Sequence, residues 1–147
     1  FFKSQLLCKI VTSTKFQVFI MCGGFKFSEF QADCLEAHND YRIRHGSARI
    51  ELDRGLCDFA QDWANYLRDC DVLKKGKTCE YGENIYFKCS ERKVYPDAYE
   101  PVKSWYSEGK NFDPKRTYPV KEIRHFSQVI WRATKCMGVA YALNEYV

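Results

Sequence analysis

Leu56, Phe59, Ala60, Trp63, Ala64 and Leu67 recur at three- and four-residue steps and make one continuous apolar stripe. That spacing places them on one face of an α-helix, and Asp53 stands where its N-cap belongs. A helix so one-sided must lie against an apolar surface, so the rest of the chain has to supply a core. At 147 residues the chain is long enough to build one domain around it.

The remaining segments say what that surface is made of. Phe30, Cys34, Ala37, His38 and Tyr41 share a helical face that begins near Glu29 and ends at Gly46. A third helix is expected over Tyr99–Gly109, with Val102, Trp105 and Tyr106 on one side, and a short fourth around Phe126, Val129 and Ile130. Asn84–Phe87, bounded by Gly82, and Met137–Leu143 carry β-type residues. Lys74–Cys79 and Asn111–Val120 read as loops, the latter through Pro114 and Pro119. Short strands bunched late in the chain predict an α+β fold, with helices packed on a mostly antiparallel sheet. Residues 1–28 read as a poorly patterned leader ahead of a domain at 29–147.

The net charge of +4 is spread among acidic residues, which describes a mixed solvated surface and excludes a nucleic-acid footprint. It leaves room for weak attraction to anionic lipid. Eight cysteines contain no Cys-x-x-Cys pair, so a structural zinc site is not expected; disulfides and packed free thiols both fit. The apolar run Leu6–Met21 is broken by Lys9, Ser13, Lys15 and Gln17, and makes neither a clean signal peptide nor a membrane span.

Four segments carry a family likeness. They are Ala37-His38-Asn39-Asp40-Tyr41-Arg42 with His45-Gly46; Tyr81-Gly82-Glu83-Asn84-Ile85; Trp105-Tyr106-Ser107-Glu108; and His125-Phe126-Ser127-Gln128-Val129-Ile130-Trp131 with Thr134. In this order they resemble the cysteine-rich secretory protein, antigen 5 and pathogenesis-related-1 (CAP) superfamily. The resemblance implies an α-β-α sandwich. Met137-Gly138-Val139-Ala140 lacks the cysteine common in secreted members and looks like the Golgi-associated pathogenesis-related branch, which favours an intracellular, Golgi or membrane-associated setting over an extracellular one. A start at Met21 would suit that branch, but Cys22 separates Met21 from Gly23 and breaks the myristoylation rule. The family's closing strand, with its Tyr-x-Pro-x-Gly-Asn motif, has no counterpart before Val147, so the sheet is expected to lack its last strand.

The resemblance also implies a cleft lined by two His and two Glu, able to hold zinc. Glu83, Glu108 and His125 match three of these positions, and Lys75 falls where the second His is expected. An ammonium has no lone pair for a metal, so zinc as a cofactor is doubtful and His125 is a weak candidate ligand. Lys75 either neutralises Glu83 and Glu108 or points to solvent. No Gly-x-Ser-x-Gly elbow accompanies Ser127, and no catalytic residue is assigned. His125 is instead expected to hydrogen-bond Glu83 or Glu108 as a buried structural hub. His38 is expected to be a packing residue, and Trp63, Trp105 and Trp131 are expected in the core.

The reading that follows is a non-enzymatic module that binds lipid or a membrane surface. A secreted, venom-allergen-like protein that engages a protein partner is the alternative, and a metal-dependent hydrolase the third.

Overall fold

The computed structural model describes residues 3–13, 26–74, 76, 81–90, 95–113, 115 and 121–146. Ser28 opens helix α1 (Glu29–Arg44) with a capping box: its side chain accepts from Gln31 N while the Gln31 side chain accepts from Ser28 N. Gly46 ends the turn beyond it at φ +66°, a left-handed conformation that favours glycine. Asp53 caps α2 (Arg54–Asp69) by accepting from Leu56 N at 2.8 Å. Leu56, Ala60, Ala64 and Leu67 of the expected stripe are buried, and burial of each Leu contributes about 1.5–3 kcal/mol. Helix α3 (Tyr99–Ser107) passes into a 3-10 turn at Glu108–Asn111, and α4 spans Arg124–Ile130.

Four strands form one sheet: β1 (Lys3–Ser13), β2 (Glu51–Leu52), β3 (Gly82–Ser90) and β4 (Cys136–Tyr146), in the order β2-β4-β1-β3. Among the described residues only the short β2–β4 pair is parallel. The sheet is open, and helices cover both faces, as an α+β sandwich requires. The alternation of β4 separates the layers. Met137 and Val139 face α1 and α3, in a core with Cys34, Ala37, Val102 and Trp105. Cys136, Ala140 and Ala142 face α2. Gly138 lets α2 come close: a Cβ there would sit 2.1 Å from the Leu56 carbonyl carbon.

Residues 3–13, expected to lie in a leader outside the domain, form the inner strand β1, with β4 on one side and β3 on the other. Cys8 and Ile10 sit two residues apart and are 0% and 1% exposed in the main core. The period-two pair Cys8/Ile10 and the β-branched run Ile10-Val11-Thr12 are the signal that identifies the strand. Strand β4 is paired with β1 along Lys3–Ser13. Both late strands are longer than their patterning suggests, because β1 gives each a full-length neighbour. The expected loops at 74–79 and 111–120, Lys75 and the Met21–Gly23 segment lie wholly or largely outside the described residues.

Candidate functional site

Helix α4 has seven residues, too few to be stable alone. It lacks a side-chain cap from its own sequence. Other elements supply both ends. At its start, the Glu108 carboxylate accepts from His125 N at 2.9 Å and Phe126 N at 3.2 Å through Oε2, and meets His125 Nδ1 at 2.6 Å through Oε1. A negative group thus caps the helix from 17 residues away. At its end, Arg42 of α1 donates to Val129 O at 3.0 Å and Trp131 O at 2.9 Å, and Ser47 Oγ donates to Ile130 O at 2.7 Å. Arg42 is fully buried and also donates to Ala48 O and, at 3.4 Å, to Thr134 O. The two charges match the helix dipole in sign at each end. Burial pulls the Arg42 guanidinium down from its usual range, but a guanidinium stays charged and all its partners are carbonyl oxygens.

His125 therefore pairs with Glu108, as one arm of the expectation had it. The pair is partly exposed, with side chains 34% and 26% accessible, so the hub is not the buried one expected. The imidazole sits beside the opening of a helix that begins in solvent reach, and its second ring nitrogen is left clear of the Glu108 contact. Glu83 turns elsewhere: its two carboxylate oxygens accept from Gly76 N at 3.2 and 2.9 Å. A cleft of about 330 Å³ is lined by Gly76, Tyr81, Glu83, Asn84, Arg124 and Gln128 among others, with neither Glu108 nor His125 in its wall. Asn84 donates to His125 O at 3.1 Å and ties α4 to the sheet.

The fit to zinc can be judged from the donor set. A carboxylate on Nδ1 is how an imidazole ligand is often oriented. The other two histidines are committed elsewhere. His38 is 1% exposed, with Nδ1 3.1 Å from Cys34 O, and burial lowers its pKa to about 4. His45 Nε2 lies 2.9 Å from the Tyr106 hydroxyl. Among the described residues no three His, Cys, Asp or Glu side chains assemble to hold a metal, so these residues do not fit a zinc centre. Lys75 lies outside the described residues. Cys8, Cys34, Cys57, Cys70 and Cys89 carry free thiols, and burial pushes the Cys8 and Cys34 thiols well above the usual range.

A second concavity was missed by the sequence reading. A groove of about 510 Å³ runs beside α4, lined by His45, Phe112, Ile123, Phe126, Ile130 and Trp131, with Arg132 also in its wall. Trp131, expected in the core, is 56% exposed, and Phe112 is 51% exposed. The helix stops at Ile130, and the Trp131 backbone (ψ 116°) departs from the helical path. Trp105 is buried as expected, and Trp63 is half-buried, stacked on Tyr66. Behind the groove, Tyr41 stacks on Tyr106 at 3.8 Å, and His45 meets both Tyr106 and Phe126 edge-on. The groove floor is thus an aromatic cluster held by three elements.

Comparisons with known proteins agree with this architecture. A family model described as "CAP: Cysteine-rich secretory protein family" matches residues 35–147. The Golgi-associated plant pathogenesis-related protein 1 of Homo sapiens is 30% identical over 124 residues, 82% of this chain and 77% of that one. Venom allergen 5 of Vespula maculifrons is 31% identical, covering 80% of this chain and 71% of that protein. Repressed by EFG1 protein 1 of Candida albicans is 33% identical over 113 residues, 76% of this chain. The chain spans 40% of the length of that fungal relative and 32% of the length of another, Secreted protein RBT4. With the four motifs in place and the helices on both faces of the sheet, the chain belongs to the cysteine-rich secretory protein (CAP) family.

Proposed function

We propose that this chain is a non-enzymatic module that binds lipid, and that the groove beside α4 receives the apolar part of the ligand. The observation that carries the reading is the exposure of Trp131 and Phe112 on the rim of a concavity whose walls are mostly apolar. Large aromatic groups exposed together beside a groove mark a binding surface, since each leaves apolar area in water that a ligand would cover. Arg132 and the +4 net charge favour an anionic headgroup. The Glu108 carboxylate holds His125 Nδ1 and caps the start of α4, which supports a structural role over an acid–base one.

The exposed thiols of Cys70 and Cys89 support a reducing compartment. Two fungal relatives bear the names Secreted protein RBT4 and Secreted protein PRY1, which keeps an extracellular protein partner as the second reading. Titration with phosphatidylcholine vesicles containing phosphatidylserine, followed by tryptophan emission, tests the first. A blue shift lost in Trp131→Ser supports the groove, and unchanged emission at saturating lipid contradicts it.

A further inference from the structure

Resting on the lipid reading of the groove, we propose that the groove and the polar cleft are two halves of one site for a phospholipid whose head carries a primary ammonium beside its phosphate. The acyl part lies in the groove, and the head crosses Ser127 into the cleft.

The two concavities meet on α4. Ile123, Phe126 and Ile130 follow one another at three- and four-residue steps and line the groove. Arg124 and Gln128, four residues apart, line the cleft. These are neighbouring rows on one helix surface, and Ser127 stands between them in both walls. The residue on the ridge is small, and its hydroxyl is turned to its own helix, donating to Arg124 O at 2.9 Å. A ligand can therefore lie across the ridge, whereas a large side chain at position 127 would stand in its way.

The two halves differ in chemistry as the two ends of an amphiphile do. Among the described residues, no carboxylate lines the groove, and most of its wall is apolar. The cleft holds one charge of each sign, Arg124 and Glu83, with the amides of Asn84 and Gln128. The Arg124 guanidinium has no hydrogen bond or ion pair among the described residues, and its planar fork of donors suits a phosphate. Both oxygens of Glu83 accept from Gly76 N, at 3.2 and 2.9 Å, which orients the carboxylate. A carboxylate has about four lone-pair sites, so it still has room to accept from an ammonium.

That pairing of charges selects the head. A phosphate alone gains Arg124 but faces Glu83, whereas a phosphate with an ammonium matches both signs. The ammonium must carry N–H groups to bond the carboxylate. Phosphoserine and phosphoethanolamine heads meet both demands; phosphoglycerol has no ammonium, and phosphocholine has one without N–H.

The full chain is floated with phosphatidylcholine vesicles containing equal fractions of phosphatidylserine or phosphatidylglycerol, which carry the same net charge. The expected preference for phosphatidylserine is about tenfold, the effect of one hydrogen bond between charged groups. Vesicles with phosphatidylethanolamine in place of part of the phosphatidylcholine should likewise be preferred over phosphatidylcholine alone. Glu83→Gln, whose amide oxygen can still accept from Gly76 N, should shrink the serine preference to less than about twofold. Arg124→Gln should weaken phosphatidylserine binding more than Arg132→Gln does, and Ser127→Phe should abolish the preference. Equal binding of the serine and glycerol lipids, with Trp131→Ser still weakening both, overturns the shared site and leaves the groove reading standing. A serine preference that survives Glu83→Gln, or one with no counterpart for phosphatidylethanolamine, also overturns it. No flotation with any vesicle removes both the shared site and the lipid reading.

Discussion

Glu108 Oε1 lies 2.6 Å from His125 Nδ1 while Oε2 of the same carboxylate accepts the backbone N–H of His125. One side chain thus fixes both the ring and the backbone of His125, and with Phe126 N it satisfies two of the donors left over at the start of α4. The relationship gives the family's histidine a clear mechanical task. His125→Ala is expected to lose about 1–2 kcal/mol in urea denaturation, the lower part of the range for a charged hydrogen bond because the pair is partly exposed. His125→Gln should lose less, since an amide still donates. Glu108→Ala should lose about 2 kcal/mol, because two backbone donors are orphaned as well. Equal stability of all three variants would remove the hub.

At the other end of α4, Arg42→Met is expected to cost at least about 3 kcal/mol, because the carbonyls of Ala48, Val129, Trp131 and Thr134 lose their donor inside the protein. Arg42→Lys should recover only part of it, since an ammonium lacks the planar fork that reaches several acceptors at once. Full recovery by Lys in thermal melts would show that charge alone matters there.

His38 makes stability pH-dependent in a defined direction. Its folded pKa, about 4, lies below the ordinary value of 6.5, so the unfolded chain binds the proton first. The contribution is complete above about pH 6.5 and is lost as the pH falls toward 4, amounting to about 3 kcal/mol. Urea midpoints between pH 7 and 4 should fall in the parent, and that component should vanish in His38→Gln. A midpoint that rises on acidification would contradict the buried neutral imidazole.

Zinc binding is expected to be weak. His125 is the sole histidine placed for it, and the sequence position matched to the second one is Lys75. Calorimetric titration should show no stoichiometric submicromolar binding, and Lys75→His should improve affinity by adding a neutral donor. Tight binding by the parent that is abolished in His125→Ala would overturn the expectation.

What the sequence disclosed depended on how far each residue's partners lie along the chain. The stripe from Leu56 to Leu67 and its cap at Asp53 are local, so the period and the cap residue suffice to find α2. Strand β1 is the opposite case: Ile10 pairs with Asn84 and Val139, and nothing near Ile10 announces partners so distant. Arg42 was hidden by its type, since arginine is almost never fully buried, and only the fold brings four carbonyls to it. The motifs located Glu108 and His125 but not the way the carboxylate caps a helix. Trp131 misled because apolar size suggests the core, whereas its place just past the end of α4 turns it outward.

The central claim is that ligand binding belongs to the groove at Trp131 and that the His125–Glu108 pair is architecture. Flotation of the full chain with phosphatidylcholine and phosphatidylserine vesicles, comparing parent, Trp131→Ser and His125→Gln, separates the two most directly. The account predicts that Trp131→Ser weakens binding about tenfold, in line with the loss of one large apolar contact, while His125→Gln floats like the parent. Parent-like flotation of Trp131→Ser with loss in a fully folded His125→Gln would contradict it.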